Sequence, residues 1–165
     1  MLYLSYGSNM SSKRLRRRAP SAEFVAVAAL RAHSLRFHKK SDKDGTAKCD
    51  AFFTGDKDHC LFGVVYRIDE RCGPALDTAE GLGAGYEKKR IVASPLAGGR
   101  LRAFTYYATD IDGALEPLCW YKEHVLRGAQ EHSLPRDYID MIRAVECTRD
   151  CDEARRSREL TIYKA

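Results

Sequence analysis

Between Met1 and Tyr107 the chain is divided into short β-favouring runs by turn residues, and only past Leu118 do apolar residues recur at helical spacing. The first run, Met1-Leu2-Tyr3-Leu4-Ser5-Tyr6, carries large side chains suited to a strand and stops at Gly7-Ser8-Asn9. Ser11 and Ser12 offer N-cap oxygens for a short helix through Arg18, which Pro20 keeps from continuing. Strands are expected at 24–30, 34–38, 51–54, 60–68, 87–94 and 100–107, with a charged loop at 39–48. Gly73-Pro74 opens a helix that ends at Gly81. Leu118, Tyr121, Val125, Leu126 and Ala129 mark the face of a further helix, and Pro135 opens one on which Tyr138, Ile142 and Val145 share a face. Strands first and helices afterwards imply an α+β domain. Many short strands in one compact unit must hide their edges, so the sheet is expected to be closed or strongly curved. The 165 residues suit one domain over 1–165, with the polar tail from Arg149 partly loose.

Charge is informative here through its placement. Lys and Arg number 28 against 23 Asp and Glu, and the run Lys13, Arg14, Arg16, Arg17 and Arg18 holds as many charges as the whole surplus. Such a stripe would suit a nucleic-acid-binding module, but no aromatics interleave it for base stacking. A solvated helix face is the preferred reading, and no nucleic acid is expected as partner. The longest apolar stretch, 24–30, falls far short of the roughly 20 residues that span a bilayer, and no export signal opens the chain. A soluble, cytoplasmic protein with no membrane partner is therefore expected. The six cysteines (Cys49, Cys60, Cys72, Cys119, Cys147, Cys151) are unevenly spaced and expected as reduced thiols. Only Cys147 and Cys151 approach zinc-ligand spacing, with no second pair to complete a site, so no metal is expected.

Two segments carry candidate chemistry. A strand that ends in Tyr6-Gly7-Ser8-Asn9 leaves backbone N–H groups without ladder partners, and a helix starting behind it adds its positive end, which together suit an anion. An ordinary strand-to-helix turn has the same composition. Glu80 follows an apolar helical segment and precedes Gly81, Gly83 and Gly85, where close-packed backbone and little water would raise its pKa toward that of a useful base. A solvent-facing glutamate at a helix end also fits. Trp120 and Tyr121 lie on an amphipathic helix, where an aromatic is commonly core. His33 falls between strands, His38 and His59 at strand ends or loops, and His124 and His132 on helix surfaces. No Ser-His-Asp or Cys-His arrangement stands out by spacing.

Taken in order, Leu2-Tyr3-Leu4-Ser5-Tyr6-Gly7-Ser8-Asn9-Met10, the strand with Gly63-Val64-Val65-Tyr66, Ala79-Glu80-Gly81 with Gly85-Tyr86, and Pro117-Leu118-Cys119-Trp120-Tyr121-Lys122 with Gly128-Ala129 and Leu134-Pro135-Arg136-Asp137-Tyr138 form a pattern. This pattern resembles the gamma-glutamylcyclotransferase family from about residue 2 to 148, and most closely the branch acting on gamma-glutamyl amino acids. The short charged loop at 39–48 and the Arg-rich tail depart from it. The resemblance implies a small mixed β-barrel flanked by α-helices and a reaction that turns a gamma-glutamyl amide into 5-oxoproline and a free amine. It implies Glu80 as catalytic base and acid, and Tyr3, Leu4, Ser5, Tyr6, Gly7, Ser8, Asn9 and Tyr121 as the substrate-binding set. No cofactor is implied, because the substrate's own amine is the nucleophile. A small-molecule gamma-glutamyl substrate is the expected partner, and a homodimer is compatible with the resemblance. The leaving group stays open: a lysine side-chain amine or a biosynthetic intermediate carrying a gamma-glutamyl cap would suit the same residues. The basic run would raise the local potential for an anionic substrate.

Overall fold

The computed structural model describes residues 1–164. Strand β1 (Leu2–Ser5) leads through a 3-10 turn (Ser8–Met10) into the short helix α1 (Ser12–Arg16). Then come β2 (Glu23–Arg31), β3 (His33–Lys40), β4 (Ala47–Phe53), β5 (Cys60–Arg67), α2 (Gly73–Glu80), β6 (Tyr86–Pro95) and β7 (Leu101–Ala108). Helices α3 (Cys119–Glu131), α4 (Arg136–Ala144) and α5 (Glu153–Leu160) complete the order. Five strands close into a barrel in the order β1-β5-β2-β6-β7, and β3 and β4 form a separate antiparallel hairpin. The barrel closes through β1, which is antiparallel to β5 (Tyr3 opposite Tyr66) and parallel to β7 (Tyr3 opposite Phe104). This is the expected mixed barrel flanked by helices.

Two glycines set how closely the parts approach. A Cβ at Gly63 on β5 would run into the Ser5 carbonyl oxygen and lie 3.1 Å from Leu4 Cδ1, so β1 packs where no side chain fits. A Cβ at Gly128 on α3 would stand 2.5 Å from the Ser11 nitrogen and 2.6 Å from Met10 Cβ. Helix α3 therefore presses directly on the backbone that follows the 3-10 turn, with Trp120, Tyr121, Val125 and Ala129 on its buried face.

Several expectations are corrected by long-range contacts. The charged loop is shorter than 39–48, because Lys39 and Lys40 extend β3 and pair with Lys48 and Ala47 of β4. The tail forms α5, capped by Asp152, whose side chain accepts from the Arg155 N–H, and it ends in a turn that buries Ile162. Charged partners hold it: Asp150 accepts from Trp120 Nε1 at 2.7 Å and from Arg155 at 2.6 Å, and Glu159 meets Arg14 at 2.7 Å. His124, expected at a helix surface, is fully buried because this tail covers its face of α3. Its Nε2 lies 3.0 Å from Arg14 and 3.3 Å from Glu159, and its Nδ1 lies 2.8 Å from the Tyr163 hydroxyl. His132 is also largely buried, its Nε2 lying 2.7 Å from the Tyr66 hydroxyl.

The cysteines are not all reduced. Cys119 and Cys147 form a disulfide with Cα atoms 5.0 Å apart, while Cys49, Cys60, Cys72 and Cys151 are free. The chain crossing there explains the pairing: Thr148 donates its N–H to the Pro117 carbonyl at 3.0 Å, and its own carbonyl accepts the Cys119 N–H at 2.9 Å. Among the described residues no helix is long and apolar enough to cross a membrane.

Candidate active site

The end of β1 and the turn behind it open onto a small recess. Tyr3, Ser5, Tyr6, Gly7, Ser8 and Asn9 supply one wall, and Glu80 and Tyr121 reach it from α2 and α3. Leu4, grouped with them from the sequence, is outside the lining. Side chains alternate along a strand, so Tyr3 and Ser5 face the recess while Leu4 is buried on the other side against β5. Three further lining residues escaped the sequence reading: Cys49 from β4, Tyr86 from β6 and Tyr106 from β7. Only Tyr86 left a trace, as the aromatic after Gly85; the other two come from strands whose facing is set by the hairpin and the barrel.

The 3-10 turn closes through the Met10 N–H donating to the Gly7 carbonyl at 2.9 Å. The N–H groups of Gly7, Ser8 and Asn9 precede that bond and lie outside its ladder. The helix behind them is only five residues long and starts after this turn, so the turn itself supplies the local backbone donors. Arg14 Nε donates to Ser8 Oγ at 3.2 Å, leaving the hydroxyl proton of Ser8 free for another acceptor. Ser5 Oγ is buried without a hydrogen-bond partner among the described residues.

Glu80 is the last residue of α2, which left-handed Gly81 terminates at φ +74°. Its side chain is 17% exposed and crosses to the β1 turn. There Asn9 Nδ2 donates to Oε1, and Arg18 donates to the same oxygen at 3.2 Å and to Asn9 Oδ1 at 3.0 Å. Burial pushes the Glu80 carboxyl above the ordinary carboxylate range, and the guanidinium groups of Arg18 and Arg14 pull against that. The basic run is therefore divided. Lys13, Arg16 and Arg17 are exposed as a solvated face, whereas Arg14 turns inward to Ser8, His124 and Glu159 and Arg18 to Asn9 and Glu80.

Tyrosines frame the rest. The Tyr121 hydroxyl accepts the Cys49 N–H at 3.0 Å, and Tyr86 donates to the Cys49 carbonyl. Tyr6 donates to the Tyr106 carbonyl at 2.8 Å, and Tyr106 donates to Asp77, which pairs with Lys88 at 2.5 Å. Burial pushes the phenols of Tyr3, Tyr6, Tyr86, Tyr106 and Tyr121 well up, and the Cys49 thiol up to about 12. All remain neutral near pH 7. Among the described residues no group of three or more His, Cys, Asp or Glu converges to hold a metal ion.

Residues 60–142 match the AIG2-like family, and the barrel carries a recess whose one lining carboxylate among the described residues is that of Glu80. The chain is 32% identical over 149 residues to gamma-glutamylcyclotransferase of Mus musculus, spanning 88% of this chain and 78% of that one. It is 30% identical over 151 residues to gamma-glutamylcyclotransferase of Homo sapiens, with the same coverage. A solved gamma-glutamyl cyclotransferase superposes with a TM-score of 0.86 and 26% identity, over 100% of this chain and 99% of its own. The chain belongs to the gamma-glutamylcyclotransferase family.

Proposed function

We propose that the protein cyclises gamma-glutamyl amino acids, releasing 5-oxoproline and the free amino acid, with Glu80 as base and then acid. The observation that carries this reading is the asymmetry of Glu80. Both side-chain donors fall on Oε1, and among the described residues none reaches Oε2, which is left to exchange a proton with a ligand in the recess. In the proposed route the nitrogen of the neutral substrate α-amine attacks the γ-carbonyl carbon and closes a five-membered ring while Oε2 takes one of its two protons. The carbonyl oxygen carries the negative charge of the tetrahedral intermediate. Collapse breaks the original amide C–N bond, and Glu80 returns its proton to the departing nitrogen. One proton is taken and one given back, and the nucleophile belongs to the substrate.

The other roles follow from chemistry. The hydroxyl of Ser8 and the N–H groups of Gly7 to Asn9 suit the substrate carboxylate or the developing oxyanion. Tyr121, already an acceptor, has its phenolic proton to give to the glutamyl group. Walls tied by four tyrosines hold the folded conformer in which ring closure is fast, and aligned intramolecular reactions reach effective molarities of about 10⁵ M or more. We take the protein to act as one domain on a free small molecule in the cytoplasm.

The test is incubation with gamma-glutamyl-alanine, gamma-glutamyl-ε-lysine and glutathione, with chromatographic measurement of 5-oxoproline. The amino-acid dipeptide is expected to turn over fastest. A preference for the ε-lysine compound would assign the enzyme to removal of side-chain caps instead. Glu80→Gln is expected to lose about 10²- to 10⁴-fold in rate. Full activity in that variant would remove Glu80 from the mechanism.

A further inference from the structure

Arg18 lies 62 positions from Glu80 in sequence and belongs to a basic run in which Lys13, Arg16 and Arg17 face solvent. Its side chain is only 24% exposed, and its Nη1 group is shared between Glu80 Oε1 and Asn9 Oδ1. With Asn9 Nδ2 donating to the same Oε1, the three side chains form a closed ring of donors and acceptors. Each contact fixes another. Arg18 requires Asn9 to present its oxygen, so the amide nitrogen must face the carboxylate. The carboxylate in turn is held by one oxygen, which leaves Oε2 as the end to which a proton can add.

The geometry points to Arg18 as a positioning residue that, through Asn9, holds Glu80 by one oxygen and keeps it ionised for proton transfer. This deepens the reading of Glu80 as the base and rests on it. Burial and the negative end of α2 both disfavour the carboxylate, and a buried carboxyl without a cation would be largely protonated where the substrate amine must be deprotonated. The other cations toward Glu80 are Arg14 behind the turn and Lys43 of the β3–β4 connection. Arg14 is committed to Glu159, and Lys43 is exposed to solvent, so neither replaces a guanidinium in contact. Asp77, one turn earlier on α2, is neutralised by Lys88. The surrounding phenols and the Cys49 thiol carry no charge in the working range.

The experiment is the pH dependence of kcat/KM for Arg18→Gln, Arg18→Lys and Arg17→Gln beside the unmodified enzyme, with folding followed by urea midpoint. Arg18→Gln is expected to move the acidic limb up by about one pH unit and to lower kcat about 10- to 100-fold with KM changed less than threefold. Arg18→Lys keeps the charge but loses the planar fork; it is expected to leave the limb within half a unit and to lower kcat several-fold. Arg17→Gln, at an exposed neighbour, controls for general loss of charge and is expected to leave the limb in place. A limb unmoved in folded Arg18→Gln overturns the proposal. Should that variant not fold, Arg18→Lys decides: loss in kcat at constant KM supports positioning, and a rise in KM at constant kcat assigns Arg18 to substrate binding and overturns it. Glu80→Gln measured alongside separates the two levels, because an active Glu80→Gln removes the base itself, whereas an inactive one with an unmoved Arg18 limb removes only the role of Arg18.

Discussion

The Tyr121 hydroxyl accepts the backbone N–H of Cys49 at 3.0 Å and so joins the first turn of α3 to the hairpin strand β4 across the recess. Tyr121→Phe leaves that buried N–H without an acceptor, a loss of about 1–3 kcal/mol. It also removes the phenolic proton offered to the glutamyl group. We expect a lower urea midpoint together with a fall in kcat/KM of a few-fold to about a hundredfold. A lower midpoint with unchanged kinetics would make the hydroxyl a structural strut only.

Gly63→Ala is expected to destabilise the barrel by about 1–3 kcal/mol, because the new methyl group has to displace the Ser5 carbonyl and Leu4. Ser5 lines the recess, so the same shift reaches the site. Urea unfolding and steady-state rates are expected to fall together. Stability without loss would mean that β1 yields more freely than its pairing with β5 and β7 implies.

Contact with His124 first, and with Arg14 second, holds the Glu159 carboxyl down to about 2 from an ordinary value of 4.5. A carboxyl lowered on folding stabilises the protein at pH above its unfolded value, and that contribution disappears as pH falls from about 4.5 through about 2. Glu159→Gln is therefore expected to lower the urea midpoint at pH 7 and to lose less than the unmodified protein between pH 5 and pH 3. Parallel curves for the two proteins would remove Glu159 from acid sensitivity.

Cys147→Ser opens a loop of 28 residues closed by the disulfide. Loop entropy puts the loss at about 3–4 kcal/mol. Differential scanning calorimetry of this variant, and of the unmodified protein with and without dithiothreitol, is the measurement. Equal Tm values in all three samples would show that the bond adds nothing in solution.

Much of the scaffold was readable because its signals are local. Gly7-Ser8-Asn9 ended β1, Gly73-Pro74 opened α2, Gly81 closed it, and the spacing of Tyr121, Val125 and Ala129 marked the buried face of α3. The loop after β1 and Glu80 were found, and they do meet. What stayed hidden depended on contacts across the chain. Cys49 and Tyr106 reach the recess through hairpin and barrel closure, and α5 is fixed by Asp150, Arg14 and Trp120 with little apolar periodicity of its own. The basic run shows the limit well: five similar residues were read as one face, and burial divides them according to what stands opposite each.

The double pairing of β1 also bears on synthesis. Tyr3 finds Tyr66 on one side and Phe104 on the other, so on a ribosome β1 has no complete set of neighbours until Phe104 has been made. Tyr121 comes later still. Such distant contacts fold slowly and leave an unpaired apolar strand exposed in the meantime. The recess is thus completed only once α3 has been made, and a nascent chain interrupted before it holds the glutamate without the wall that Tyr121 supplies.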